Sequence, residues 1–241
     1  APGCTKSVKL TVAYADESDK GPYPIPADAL VEGGPQADGD RHVVVVDPAT
    51  CTDYELYNAR RASDGSWSAD SGAVFGLRSD ALRPSGWTSA DAAGLPILPG
   101  LARYDEAATG TIDHALRITV PRSQAAHLWP ARHDASSKKD TALPPMGLRL
   151  RLKAGVDLSG LPPQARAVAQ ALKTYGAFVA DNGSAWYISG APDPRWDNGQ
   201  LAKLGTLSGS DFEAVDDSGL QVSANSAAAR VRGRACMRTA W

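Results

Sequence analysis

Several signatures of common function classes are missing from this chain of 241 residues. No stretch approaches 18 apolar residues, so the sequence predicts no membrane-spanning helix and no membrane partner. Its 25 basic and 27 acidic residues leave a net charge of −2, which removes the electrostatic case for a nucleic-acid partner. It has neither a Gly-x-Ser-x-Gly element nor a Gly-rich phosphate loop, which disfavours serine hydrolases of that type and nucleotide enzymes.

Cysteine and histidine are also scarce. Cys4, Cys51 and Cys236 lack the close spacing of a zinc knuckle and allow three single disulfide pairings, each leaving one thiol over. A Cys4–Cys51 bond would tie down the N-terminal strand, whereas Cys236 would instead hold the C-terminal tail. The four histidines show no paired spacing. His42, His114 and His133 could converge from distant strands on a metal with a carboxylate, but His114 fits a core position better, so we expect no metal, and we expect no cofactor.

Turn-forming residues are abundant, with 23 glycines and 17 prolines. Alternating or continuous apolar positions predict short strands over residues 7–14, 42–47, 52–57, 113–120 and 148–153. One α-helix is predicted over about 162–175, between Pro162-Pro163 and Gly176. The expected fold is mainly β, an antiparallel β-sandwich or jelly roll with that one short helix. Residues 1–217 would form a single β-rich domain, and 218–241 a C-terminal tail or terminal strand.

The clearest local pattern is a β-hairpin late in the chain. Residues 177–181 and 184–188 are strand-like and flank Asn182-Gly183, the preferred pair for a type I′ turn. In that register Trp186 would share a sheet face with Asp181.

Carboxylates supply the first candidate chemistry. Glycan-cleaving enzymes use two carboxyl groups that flank the scissile bond. Asp105 and Glu106 lie near the end of a region rich in turns, 60–112, which is typical of a set of functional loops. On a strand these two side chains would point to opposite faces, so one of them would share a cleft with Asp181. Asp181 also has a purely structural explanation, since aspartate favours tight turns.

Substrate binding would fall to aromatic rings and a cation. Trp87, Trp129 and Trp186 lie near predicted loops, where they could stack on sugars, although Trp186 also suits a core position. Arg117 lies on the polar side of a predicted strand and could orient the substrate. A sheet face with Arg149, Arg151 and Lys153 would suit carboxylated sugars, or would simply be solvated.

Histidine offers an alternative chemistry. His114 or His133 could abstract the α-proton of a uronate in a lyase reaction, provided a carboxylate orients the imidazole. His114 also shares a predicted strand face with Leu116 and Ile118, which fits a core histidine equally well.

Several long strings resemble a family of large, secreted, functionally uncharacterised bacterial and fungal proteins. The resemblance extends over about residues 10–217 and rests on residues 14–19, 21–26, 39–47, 54–57, 82–97, 113–117, 129–133, 144–147 and 175–184. It implies export and a further N-terminal segment that this chain would lack, but it brings no activity and no catalytic residue. The tail after Asp217 departs from the pattern.

Together these features predict a secreted carbohydrate-active enzyme whose partner is a polysaccharide or another glycan. It would act as a glycoside hydrolase, or as a lyase on a uronate. The alternative is a non-catalytic secreted module that binds carbohydrate or has a structural role, with exposed aromatic residues as its platform.

Overall fold

The computed structural model describes residues 7–230, in which strands outnumber helices and form several small sheets. The strands are β1 Leu10–Val12, β2 Val43–Asp47, β3 Thr52–Tyr57, β4 Arg60–Arg61, β5 Trp67–Ala69, β6 Ser71–Gly76, β7 Leu116–Val120, β8 Arg149–Leu152, β9 Ala177–Asn182, β10 Phe212–Val215, β11 Gln221–Ser223 and β12 Ser226–Ala229. The helices are α1 Tyr104–Thr109, α2 Pro163–Thr174 and α3 Asn198–Leu201.

Two sheets carry most of the architecture. The N-terminal sheet has the order β2-β3-β6 and is antiparallel throughout, which confirms the predicted pairing of residues 42–47 with 52–57. The C-terminal sheet has the order β10-β8-β9-β7. Its β7–β9 pair is parallel, as is the β1–β5 pair in a small third sheet, so the prediction of a purely antiparallel fold is wrong for these strands. The described residues form no closed barrel, and the jelly-roll arrangement stays a prediction.

Helix α2 confirms the one predicted helix. Pro162 and Pro163 start it, because proline needs no N–H partner in a first turn, and Gly176 follows it with a φ of +77°. Its buried side chains include Val168 and Leu172, which pack in one core with β7, β8 and β9. The expectation of a single helix is wrong, since α1 and α3 also form.

The predicted hairpin over 177–188 does not form. Strand β9 already has β8 on one edge and β7 on the other, so no edge is left for the residues that follow. They cross to the free edge of β7 instead, where the Trp186 N–H donates to the Thr119 carbonyl at 3.1 Å. The parallel partner of β9, which is distant in sequence, therefore replaces the local turn pairing.

A connecting segment, residues 81–100, lies between the two sheets and is bonded to both. On the N-terminal side, Ser71 donates to the Ser89 carbonyl at 2.6 Å. On the C-terminal side, the Ala93 N–H donates to the Ala180 carbonyl at 2.9 Å. Each sheet has its own apolar core, so the polar groups of this segment form the joint between them.

The predicted C-terminal tail is partly ordered as the β11–β12 hairpin. Cys4 and Cys236 lie outside the described residues, as does any pairing that involves them. Among residues 7–230, no helix combines the length and the apolar character needed to cross a bilayer.

Candidate functional site

Asp181 lies at the end of β9, on the sheet face that also carries Arg117 from β7. Leu116 and Ile118 point to the opposite, apolar face, because side chains alternate along a strand. A β-bulge between Ile118 and Thr119 places Thr119 opposite Asp181. The Asp181 side chain is 17% exposed, and its Oδ2 lies 3.6 Å from Nη2 of Arg117. Arg117 and Asp181, both predicted site residues, are thus neighbours.

Arg117 is itself buried and held by other groups. Its Nε donates to Oδ2 of Asp91 at 3.0 Å, and its Nη1 donates to Oγ of Ser189 at 2.6 Å. Its Nη2 lies 2.8 Å from the same Asp91 oxygen. The guanidinium therefore forms its main ion pair with Asp91 and only a longer one with Asp181.

His42 precedes β2 and brings the N-terminal sheet into the site. Its Nδ1 lies 2.7 Å from Oε2 of Glu32 and its Nε2 2.9 Å from the Ala90 carbonyl. Since both partners are acceptors, an imidazolium that donates from both nitrogens satisfies the arrangement. Burial opposes that charge, yet the hydrogen bond and the charge of Glu32 raise the pKa of His42 above its ordinary value.

Asp40 completes the group at its exposed side. One oxygen of Asp40, one ring nitrogen of His42 and one oxygen of Asp181 all lie within 4.8 Å of one another. These atoms are close enough together to surround a cation. To bind a metal, however, His42 would have to offer the lone pair of one ring nitrogen. Both of its ring nitrogens face oxygen acceptors instead. The arrangement is better suited to holding and moving protons.

Burial has a direct effect on Asp181. Loss of hydration, together with the nearby Asp91 carboxylate, raises the pKa of Asp181 from 3.8 to about 7, although Arg117 acts in the opposite direction. A carboxyl group with such a pKa is protonated part of the time near neutral pH. It can therefore both give and take a proton.

The other predicted carboxylates lie elsewhere, on helix α1 and not on a strand as expected. Asp105 is 82% exposed and pairs with Arg195 at 2.9 Å. Glu106 pairs with Arg103 and, at 3.1 Å, with Nε2 of His114. Neither makes a hydrogen bond or ion pair with Asp181 in the described part of the chain. The structure therefore brings His114 to Glu106, but neither of them to Asp181.

His133 and two of the predicted tryptophans have structural partners. Nδ1 of His133 lies 2.8 Å from the Ala92 carbonyl. Trp87 stacks beneath the Arg83 guanidinium, 5.4 Å from the ring centre, and Nε1 of Trp129 donates to the Ser226 carbonyl at 2.8 Å. These contacts hold the connecting segment and the β11–β12 hairpin in place.

Trp186 lies apart from Asp181, contrary to the hairpin prediction. Its ring is 40% exposed and packs on Phe212 at 4.7 Å. It lines a cavity of about 890 Å³ together with Ile118 and Leu172, on the α2 side of the C-terminal sheet. Tyr187, 64% exposed, borders the same cavity.

The three cations of the predicted sheet face, Arg149, Arg151 and Lys153, each bind a different structural partner. Arg149 donates to the Tyr175 carbonyl and its guanidinium lies 5.5 Å from the Phe178 ring, whereas Arg151 pairs with Glu213. Lys153 donates to the Ser210 carbonyl at 2.7 Å.

The sequence-based site does not include Asp40, His42 and Asp91, and His42 is considered there only as a metal ligand with other histidines. A usable signal existed for two of them, since Asp40 and His42 stand two residues apart immediately before the valine run of β2. No local pattern singles out Asp91, because its importance comes from Arg117, which is distant in sequence.

Comparison with protein-family models, with curated proteins and with solved structures finds no match for the chain. The resemblance to a secreted family therefore stays a prediction.

Proposed function

We propose that the protein is a secreted glycan-cleaving enzyme, a glycoside hydrolase of the retaining type, in which Asp181 and Asp40 are the two catalytic carboxyl groups. The observation that carries this proposal is that the two carboxyl groups are neighbours, closer than the gap of about 6.5–9.5 Å that inverting enzymes leave for water. An oxygen of Asp40 lies within 4.8 Å of an oxygen of Asp181. Retaining glycosidases hold their carboxyl groups about 5–5.5 Å apart, whereas inverting enzymes leave a wider gap for water.

The different environments of the two carboxyl groups support different roles. Asp181 is mostly buried, which raises its pKa to about 7 and suits it to act as an acid. Asp40 is exposed and lies on a segment fixed to the end of β3, where the Asn58 N–H donates to the Asp40 carbonyl at 2.8 Å. A substrate can therefore reach Asp40 as the nucleophile.

The reaction then follows in two balanced steps. A carboxylate oxygen of Asp40 attacks the anomeric carbon while Asp181 transfers its proton to the departing glycosidic oxygen, leaving a glycosyl ester on Asp40. Water next attacks that carbon, Asp181 takes a proton from the water, and the ester bond breaks. The sugar is released with its anomeric configuration retained, and both side chains return to their starting states.

A depolymerisation screen on neutral and uronic-acid polysaccharides tests this proposal. We expect new reducing ends from the wild-type chain, with retained configuration by NMR. Asp181→Asn and Asp40→Asn should each lower the rate at least about a hundredfold, because general acid–base catalysis alone contributes about 10²–10⁴. Asp105→Asn is the matched control. It should retain activity, because Asp105 pairs with Arg195 and is not one of the two catalytic carboxyl groups.

Two results would contradict the proposal. One is a folded protein with no activity on any polysaccharide of the screen. The other is activity that survives both Asp181→Asn and Asp40→Asn. Unsaturated ends that absorb ultraviolet light would instead identify a lyase.

A second candidate, a carbohydrate-binding module, is favoured by the exposed rings at the 890 Å³ cavity. Trp186 and Tyr187 offer adjacent aromatic surfaces on which sugars could stack. In that case Trp186→Ala should abolish glycan binding in a pull-down assay, whereas Asp40→Asn and Asp181→Asn should leave it intact.

A further inference from the structure

The proposed reaction requires Asp181 to hold a proton although an arginine lies beside it. An uncompensated guanidinium within about 4–6 Å stabilises a carboxylate and lowers its proton affinity. Nη2 of Arg117 is only 3.6 Å from Oδ2 of Asp181. A further group must therefore reduce the influence of Arg117.

Asp91 is placed to do so. It is 1% exposed, and its Oδ2 accepts from Nε of Arg117 at 3.0 Å and lies 2.8 Å from Nη2. Both contacts are shorter than the Arg117–Asp181 contact, so Arg117 is bound to Asp91 and merely adjacent to Asp181.

The position of Asp91 is rigid. Its Oδ1 accepts the Ala93 N–H at 2.9 Å, and its own N–H donates to Oγ of Ser89 at 2.9 Å. Ala93 is in turn bonded to the Ala180 carbonyl on β9. The side chain that binds Arg117 is thus attached to the strand that carries Asp181.

The remaining charges around Asp181 come from the N-terminal sheet and the loop before it. His42 is paired with Glu32, and Asp40 is exposed to solvent. Glu55 of β3 is buried, and its charge acts on both Asp91 and Arg117. Asp91 is the only one of these acids that directly neutralises Arg117, since the other ion pair of that arginine is with Asp181 itself.

We propose, resting on the function proposed above, that Asp91 is a positioning residue: it binds and neutralises Arg117, so that Asp181 can carry the proton that the reaction gives to the leaving group. Asp91 itself touches no substrate. It acts on Asp181 by neutralising Arg117 and by the negative charge of its own carboxylate nearby.

Removing the charge of Asp91 and removing the charge of Arg117 should shift the pKa of Asp181 in opposite directions. Asp91→Asn leaves Arg117 uncompensated and should lower the pKa of Asp181 by about one unit or more. Arg117→Gln leaves Asp91 uncompensated and should raise it. The double variant removes both charges and should fall between the single variants. Asp105→Asn, which changes an exposed carboxylate bound to Arg195, should leave the pKa of Asp181 unchanged.

Two measurements read this effect. A carbon-detected NMR titration of the Asp181 carboxyl group follows its proton directly and needs no substrate. The alkaline limb of the pH profile of kcat/KM on a cleaved glycan should move by the same amount and in the same direction. A loss of packing alone would lower the rate without this signed shift.

The inference is wrong if Asp91→Asn leaves the titration of Asp181 unchanged or raises its midpoint, or if Arg117→Gln lowers that midpoint. Should Asp91→Asn fail to fold, Arg117→Gln and the double variant decide the question. The expected shifts in a protein that cleaves no glycan would reject the hydrolase and retain the control of Asp181 by Asp91. Glycan cleavage without those shifts would retain the hydrolase and reject the control of Asp181 by Asp91.

Discussion

At the scale of single residues, the proton on Asp181 depends on partners that are far away in sequence. Arg117 and Asp181 were both candidates from the sequence, because each is a polar residue on a predicted strand. Asp40, His42 and Asp91 were not, although Asp40 and His42 stand two residues apart immediately before the valine run of β2. Their roles come from their proximity in the folded chain, which a local pattern does not contain.

Gly147 is a residue whose backbone tolerates no side chain. Its φ is +77°, and an added Cβ would lie 2.2 Å from the Leu128 carbonyl oxygen. We expect Gly147→Ala to lower the free energy of unfolding by about 1–3 kcal/mol or more, because the left-handed backbone and the contact both oppose it. Urea denaturation measures this loss.

Gly155→Ala is its control, since a Cβ there meets nothing within 4 Å and the backbone is not left-handed. Equal unfolding free energies for the two variants would show that the close approach at Gly147 is relieved by movement of its neighbours.

At the scale of elements, strand β8 has one face buried in the core and one face exposed to solvent. Leu152 is fully buried in the core that α2 shares with the C-terminal sheet, whereas Arg151 points outward to Glu213. We expect Leu152→Ala to cost about 2–5 kcal/mol of unfolding free energy, from lost burial and the cavity left behind.

Arg151→Ala, one position away on the same strand, should cost less than about 1 kcal/mol, because exposed ion pairs contribute little. Chemical denaturation of both variants compares the faces directly. A loss from Arg151→Ala as large as that from Leu152→Ala would mean that the stability of β8 does not come from its inner face.

Helix α2 and the β2–β3 pairing were predicted because their signals are local. Pro162, Pro163 and Gly176 bound a helical stripe, and only four residues separate β2 from β3. The 177–188 hairpin had an equally local signal and was wrong. The edge of β9 that its second arm would need is occupied by β7, a strand about 60 residues earlier in the chain. A turn propensity contributes less than a buried strand pairing.

At the scale of the whole molecule, the two sheets are joined through a buried pair of acids on β3. Glu55 accepts the N–H groups of Ile97 and Leu98 at 2.8 and 2.9 Å, and so binds the connecting segment. Neighbouring Asp53 is fully buried, and neither of its oxygens has a donor among the described residues. One proton shared between the two carboxyl groups satisfies both.

Because of the Asp53–Glu55 pair, we expect the free energy of unfolding to fall as pH rises. Burial raises the pKa of Asp53 from 3.8 to about 6, and burial together with the charge of Asp53 raises that of Glu55. The folded state therefore binds protons more tightly than the unfolded state. The stabilisation is complete below the unfolded pKa and is lost as pH rises through the folded one, by up to about 1.4 kcal/mol per pH unit for each proton.

Asp53→Asn should flatten this dependence, because the amide stays neutral and can donate to Glu55 at every pH. Denaturation midpoints from pH 4 to 8 measure it. Asp64→Asn on an exposed turn is the control and should keep the wild-type slope. If the wild-type and Asp53→Asn curves run parallel, the shared proton does not couple the sheets.

The sequence by itself determined the strand-rich character, helix α2, the β2–β3 pairing and two members of the site, because apolar periodicity and turn residues act over a few positions. Only the tertiary structure decided which carboxyl groups meet. Asp40 and His42 come from the segment just before β2, Asp91 from the connecting segment, and Arg117 and Asp181 from the C-terminal sheet. Their proximity depends on how two separate cores pack against one polar joint, and that packing is set by long-range contacts which no local pattern encodes.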